Sequence, residues 1–358
     1  MMTLSWTGPA TFITIAGQSI GMGHLSRCRL LHAVLAPAHE VTLIVFCDDS
    51  TRDIIQSKDK TTICLPLTAL SPTDFSTSVQ DYITMDHVVI VDLVHTCLFT
   101  DTYDPSFLFQ ELRHQAKTII AIDALGTQTI ANRIPDVQID ALIVPYVTGK
   151  AESELIQRVG KTQFIGSKYA LLPAGYNDLE KRDISQNVSS LLITCGGSDP
   201  YQHSLICLEA LKLLQPSLNV RIVVGPLFSE ILKTKIQEQC VQSHHKITVL
   251  DAPSSLLEHM LWCDIAISAS GLTKYELAAT GTPTILFSID KQHDLANQAF
   301  AYLGSVLDLG TNLTPQTVAQ AFRDLYTSFE MRQELSRIGQ TIIDGKGALR
   351  LVSAIGKD

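Results

Sequence analysis

Short runs of almost wholly apolar residues, each of strand length, recur along this chain and alternate with helical patterns. In the first half they cover residues 11–16, 41–47, 88–92, 118–122 and 141–144; in the second, 190–194, 220–224, 246–250, 265–268 and 283–287. A strand that is apolar all round must be covered on both faces, and strands of that kind interleaved with helices build parallel sheets. Helical patterns at 26–35, 203–214, 228–239 and 275–280 supply the covering layers. A single sheet of so many strands is uncommon. The 358 residues also exceed the ~250–300 at which single cores stop growing. The polar stretch 173–188 (PAGYNDLEKRDISQNV) breaks the rhythm and reads as an interdomain linker. The expectation is two doubly wound α/β domains, residues 1–178 and 179–358, with chemistry beyond the carboxyl ends of the strands.

Composition narrows the partners. Charged residues make up 18% and hydrophobic ones 46%, an ordinary globular balance. A formal charge of −9, with no basic stripe, argues against nucleic acid. The eight cysteines are scattered, form no CxxC pair and mostly lie in apolar runs, so neither a zinc site nor a disulfide framework is expected. There is no Asp-x-Asp motif and no ligand-spaced His/Cys/carboxylate cluster; neither metal nor cofactor is expected. The N-terminus lacks a signal-peptide pattern, and no apolar run approaches the ~20 residues of a membrane span. The expectation is a soluble protein of a reducing cytoplasm, monomeric or weakly associating.

Three strand-to-helix loops can carry chemistry. The first is Gly17-Gln18-Ser19-Ile20-Gly21-Met22-Gly23-His24. Gly21 and Gly23 allow close backbone approach to a ligand, and the following helix start favours an anion. A neutral imidazole at His24 could accept a proton; alternatively the segment is a glycine turn with a capping or exposed histidine. A dinucleotide reading, with Asp48 as the ribose-binding acid, is disfavoured. Ser26 occupies its third glycine position and the loop is too long for that turn. The second loop is Thr194-Cys195-Gly196-Gly197-Ser198-Asp199-Pro200, a candidate phosphate nest or a turn capped by Ser198 or Asp199. The third is Ser268-Ala269-Ser270-Gly271-Leu272-Thr273-Lys274-Tyr275-Glu276. Its small residues suit a backbone-amide anion site with Glu276 reaching a ribose diol, or else a helix start capped by Thr273 with Glu276 favouring the dipole.

On these motifs the chain resembles the UDP-2,4-diacetamido-2,4,6-trideoxy-β-L-altropyranose hydrolases of pseudaminic acid biosynthesis and the related spore-coat polysaccharide proteins. More distantly it is similar to the lipid-linked N-acetylglucosaminyltransferase of peptidoglycan synthesis. Further matching segments are Leu25-Ser26-Arg27, Val91-Asp92, Ile122-Asp123 and Gly166-Ser167-Lys168-Tyr169-Ala170-Leu171-Leu172. The resemblance implies a GT-B fold, two Rossmann-like domains facing across a cleft that binds a UDP-sugar. It implies that His24 is catalytic. It places the nucleotide mainly on the C-terminal domain, at Gly196, Gly197, Ser198, Asp199, Ser270, Gly271, Leu272, Thr273 and Glu276, with Gly21 and Gly23 on the other side. Where relatives carry an Asn-Gln pair this chain has Gln292 and His293, and where the hydrolases carry a sugar-site tyrosine it has Val94. A different deoxy-diacetamido sugar, or an acceptor other than water, therefore stays open.

The leading expectation is an inverting UDP-sugar hydrolase that serves a nonulosonic acid of surface or flagellar glycans. In it, water attacks the anomeric carbon, His24 handles its proton and loop amides stabilise the departing UDP. The runner-up is a GT-B glycosyltransferase, with a sugar or lipid hydroxyl in place of water. A third reading is a nucleotide-sugar-binding protein without chemistry.

Overall fold

The computed structural model describes residues 8–93, 106–123, 129–148, 156–157, 159–215 and 217–355; Val94 lies outside them. The chain forms two compact units, Met1–Leu172 with Lys346–Asp358, and Pro173–Gly345.

Unit 1 is built on a seven-stranded parallel sheet in the order β3-β2-β1-β4-β5-β6-β7. Its strands are β1 (Ala10–Ala16), β2 (Val41–Cys47), β3 (Ile63–Pro66), β4 (Val88–Asp92), β5 (Thr118–Ile122), β6 (Ala141–Val144) and β7 (Thr162–Ile165). Helices α1 (Gly23–Leu35), α2 (Asp49–Lys58), α3 (Phe75–Val79), α4 (Ser106–Gln115) and α5 (Thr129–Arg133) lie between them. Unit 2 carries a six-stranded parallel sheet in the order β10-β9-β8-β11-β12-β13. These are β8 (Ser190–Thr194), β9 (Asn219–Val224), β10 (Lys246–Asp251), β11 (Ile265–Ala269), β12 (Thr284–Phe287) and β13 (Leu307–Asp308). Its helices are α6 (His203–Leu211), α7 (Glu230–Val241), α8 (Leu257–Trp262), α9 (Thr273–Ala279), α10 (Lys291–Tyr302), α11 (Pro315–Thr327) and α12 (Phe329–Ile342); α13 (Gly347–Ile355) is the last described element.

Both sheets are doubly wound, and each has a switch point. In unit 1, β1 sits between β2 and β4, with Thr14 opposite Asp92 in register. In unit 2, β8 sits between β9 and β11. The loops after β1 and β8 therefore open at the places where such sheets receive ligands.

The central strands fall where the apolar runs predict them. The strands absent from the sequence reading, β3, β7 and β13, are all sheet edges and are mostly half-buried. β7 and β13 carry polar residues and β3 closes at Pro66 after three apolar ones, so none offers a run of the length that marks the other strands; the edge strand β10 does.

The domain expectation needs two corrections. First, residues 346–358 belong with unit 1, not with residues 179–345. Ala348, Leu351 and Ile355 of α13 join the unit 1 core beside Leu25, Cys28 and Leu31 of α1. The helix enters so closely that a Cβ on Gly347 would overlap the Ala170 carbonyl. Second, the stretch read as a linker is bound to unit 2. Arg182 donates to the carbonyls of Met260, Leu261 and Cys263, and buried Arg332 donates to those of Ser185 and Gln186 at 2.9 Å.

Candidate active site

The loop after β1 folds back on itself. Gly17 and Gly21 exchange backbone hydrogen bonds at 3.3 and 2.7 Å, and Gly21 adopts φ +81°, a region L side chains rarely occupy. A Cβ on Gly21 or Gly23 would meet nothing within 4 Å, so open space borders both. Helix α1 begins at Gly23 without a side-chain cap, which places His24 in its first turn.

His24 is one corner of a buried charge network. Its Nδ1 lies 2.6 Å from Asp92 Oδ1. Arg27, one turn on, clamps the same carboxylate: Nε donates to Oδ2 and Nη2 to Oδ1, each at 2.7 Å. His24, Arg27 and Asp92 are 6%, 3% and 0% exposed. The carboxylate can only accept, so Nδ1 of a neutral His24 carries the proton and Nε2 the lone pair. The 2.9 Å approach of Arg27 Nη2 to Nδ1 is then a packing contact. Burial pushes Asp92 up, but the charge of Arg27 and the hydrogen bonds from His24 and Arg27 outweigh it and hold the carboxyl below its ordinary range. Burial pulls the Arg27 guanidinium down, and Asp92 more than reverses that. The Tyr146 ring lies beside the guanidinium, with Cζ 5.6 Å from its centroid.

Asp92 was legible only as a strand end. An acid closing an all-apolar strand was its signal; its partner stands 68 residues away in sequence. Asp48, the acid of the dinucleotide alternative, instead caps α2 and accepts the Gln18 amide at 3.0 Å.

In unit 2 the loop after β8 turns at Gly196, which has φ +80° and open space beside it. A Cβ on Gly225 would collide with the Gly196 and Gly197 carbonyls, so the neighbouring strand end holds the loop from behind. Ser198 is half-buried, whereas Asp199 points inward and accepts from the amides of His203 and Ser204 at 2.8 and 2.9 Å. The capping alternative thus describes Asp199. Its carboxylate anchors α6 and leaves the loop amides as the groups suited to an anion.

The loop after β11 is tied to the one after β12. Ser270 N donates to Phe287 O at 2.8 Å, and Ser270 Oγ accepts from Ile289 N at 3.2 Å. Gly271 has open space beside it. Thr273 is the first residue of α9, and no side chain caps that helix; Leu272 holds the cap position. Glu276 is partly accessible, yet burial pushes its carboxyl up to about 7, with Tyr176 opposing. Gln292 and His293 lie on α10, where His293 Nδ1 is 2.8 Å from Asp290. Unit 2 therefore gathers Ser270, Gly271, Leu272 and Thr273 with the α10 start, and the Gly196 loop leaves the adjacent strand. Gly21, Gly23 and His24 belong to unit 1.

No protein-family model matches the chain. It is 23% identical over 272 residues to the spore coat polysaccharide biosynthesis protein SpsG of Bacillus subtilis, covering 70% of this chain and 80% of that one. An uncharacterized protein of Methanocaldococcus jannaschii is 23% identical over 279 residues; the match covers 76% of this chain and 54%, about half, of that relative. Among solved structures, MurG of Acinetobacter baumannii superposes with a TM-score of 0.60 at 14% identity, covering 97% and 99% of the two chains. The fold is GT-B. The S. aureus MnaA–UDP complex gives 0.61 at 16% identity, covering 96% and 95%. Neisseria meningitidis UDP-GlcNAc 2-epimerase bound to UDP-GlcNAc gives 0.56 at 15%, covering 96% and 99%. Among the described residues of this GT-B chain, no helix is long and apolar enough to cross a membrane.

Proposed function

We propose that this GT-B chain is a UDP-sugar-dependent enzyme of polysaccharide biosynthesis, working as a glycosyltransferase. The observation that carries the reading is the buried His24–Asp92–Arg27 network at the unit 1 switch point. Asp92 orients the imidazole and stabilises the cation that forms on it when Nε2 takes the proton of an acceptor hydroxyl. The hydroxyl oxygen attacks the anomeric carbon, the bond from that carbon to the UDP oxygen breaks, and UDP leaves with the electron pair. Amides of the Gly196 and Ser270 loops, with the uncapped start of α9, face the diphosphate, and Glu276 binds the ribose. Support comes from SpsG, from MurG and from the similar structures that hold UDP or UDP-GlcNAc. These neighbours favour transfer over the hydrolysis expected first.

Hydrolysis is the second reading, favoured by the resemblance of the His24 loop to the hydrolases; the same parts act with water as acceptor. A panel of UDP-sugars separates the two through UDP release measured with and without glycan or lipid-linked acceptors. Release that requires an acceptor supports transfer, and release in buffer alone supports hydrolysis. A sugar that stays on UDP with altered stereochemistry, or binding without turnover, refutes both.

A further inference from the structure

Lys274 takes no part in the chemistry above, yet it is among the most enclosed charged residues of unit 2. Its side chain is 0% exposed, and Nζ donates to Asn297 Oδ1 at 2.8 Å. The rings of Tyr275 and Phe300 flank the amine at 5.6 and 5.7 Å. Asn297, also 0% exposed, passes the contact on: its amide donates to Ser288 Oγ at 2.9 Å and reaches Phe287 O at 3.4 Å. Ser288 Oγ in turn donates to Asp294 Oδ1 at 3.2 Å, and Ser288 N to Gly310 O at 2.8 Å. The chain of bonds starts on α9, directly behind Ser270–Thr273, and ends in the turn that launches α10.

Burying an amine costs more than burying a methionine of similar length, so tight packing alone does not call for lysine here. What the amine supplies is direction. An apolar side chain would fill the space, but it would not fix where Asn297 and Ser288 stand. Ser270 Oγ to Ile289 N is the second bridge between the same two loops. Burial pulls the amine down to about 7, with Asp308 on β13 opposing. The neutral amine still donates, so the bridge survives loss of the proton.

We infer that Lys274 is a positioning residue of the nucleotide site: through Asn297 and Ser288 it sets the loop after β12 against the loop after β11. This rests on the reading of those loops as the UDP site. The expected signature is a split in the kinetics. Lys274→Met and Asn297→Leu should each weaken UDP binding about tenfold, the effect of losing one buried charge-assisted bond, and raise KM in proportion. At saturating UDP-sugar kcat should stay within about twofold, since His24 is untouched. The double variant should lose no more than either single one, because both break one chain. Asn297→Asp keeps the acceptor for Nζ but loses the amide donor to Ser288 Oγ; the hydroxyl can turn from Asp294 and donate to the new carboxylate, and affinity should return to within a few-fold of wild type. Calorimetry with UDP on the full chain, UDP-release kinetics and thermal unfolding read all of this. If Lys274→Met does not fold, the contrast between Asn297→Asp and Asn297→Leu decides. Folded variants that melt earlier yet bind UDP like wild type overturn the inference and make Lys274 a packing residue. A wild-type chain that does not bind UDP overturns the nucleotide reading beneath it.

Discussion

Replacing Asp92 by asparagine preserves the side chain's outline while removing the negative charge that faces Arg27 and His24. Three contacts of 2.6–2.7 Å converge on this carboxylate. An amide has one acceptor oxygen and presents an NH₂ group to a partner that also donates. The Arg27 guanidinium is then left buried without its counter-charge, and breaking one half of a buried ion pair costs about 3–5 kcal/mol. For a unit of this size that lowers the unfolding midpoint by roughly 6–20 °C. Loss of the orienting carboxylate also frees His24 to place its proton on Nε2, and turnover should fall ~10²–10⁴-fold. The pH dependence carries the same signature. Asp92 is held below its ordinary value of 3.8. Its stabilisation is therefore complete above that value and is lost as pH falls through the depressed one. The wild-type acid limb should flatten in Asp92→Asn. His24→Ala provides the contrast, with a comparable loss of turnover, a much smaller loss of stability and UDP affinity nearly unchanged. Differential scanning calorimetry between pH 2 and 7, with UDP-release kinetics at neutral pH, measures both arms. An Asp92→Asn chain that melts and turns over like wild type would refute the network's role in fold and catalysis alike.

Gly23→Ala should keep its stability, since the methyl meets nothing in the protein and alanine favours helix. Its turnover should fall because the methyl occupies ligand space; unchanged kinetics would place that space outside the site. Glu276→Ala should weaken UDP binding roughly tenfold to a hundredfold by calorimetry, and an unchanged affinity would remove Glu276 from the ribose. Because burial raises Glu276 from 4.5 to about 7, the unliganded protein should lose stability as pH rises across that interval. Denaturation curves for wild type and Glu276→Ala would show this slope only in the former. Turnover should survive EDTA, since amides and helix starts can meet the diphosphate without a cation. Activity abolished by the chelator and restored by magnesium would show otherwise.

Much of this molecule can be read along the chain. Central strands of a parallel sheet are apolar on both sides, so β1, β2, β4, β5, β6, β8, β9, β11 and β12 announce themselves as unbroken runs, and the glycine loops after β1 and β8 mark where a ligand can approach. Three of the edge strands do not, because β3, β7 and β13 are short and half-exposed, whereas the edge strand β10 is read from its run 246–250. Local sequence also leaves the role of a carboxylate open. Asp48 follows β2 directly and Asp199 lies in the loop after β8, and both cap helices through nearby amides, whereas Asp92, the last residue of β4, meets two side chains of α1. The difference lies in register, since β4 runs beside β1 with Asp92 opposite Thr14 and so beneath the first turns of α1. The return of α13 to unit 1 and the burial of Lys274 against Asn297 are decisions of the same kind. Each depends on which distant segments share a core, and a period of two or of 3.6 residues records only that a face is buried, not what buries it.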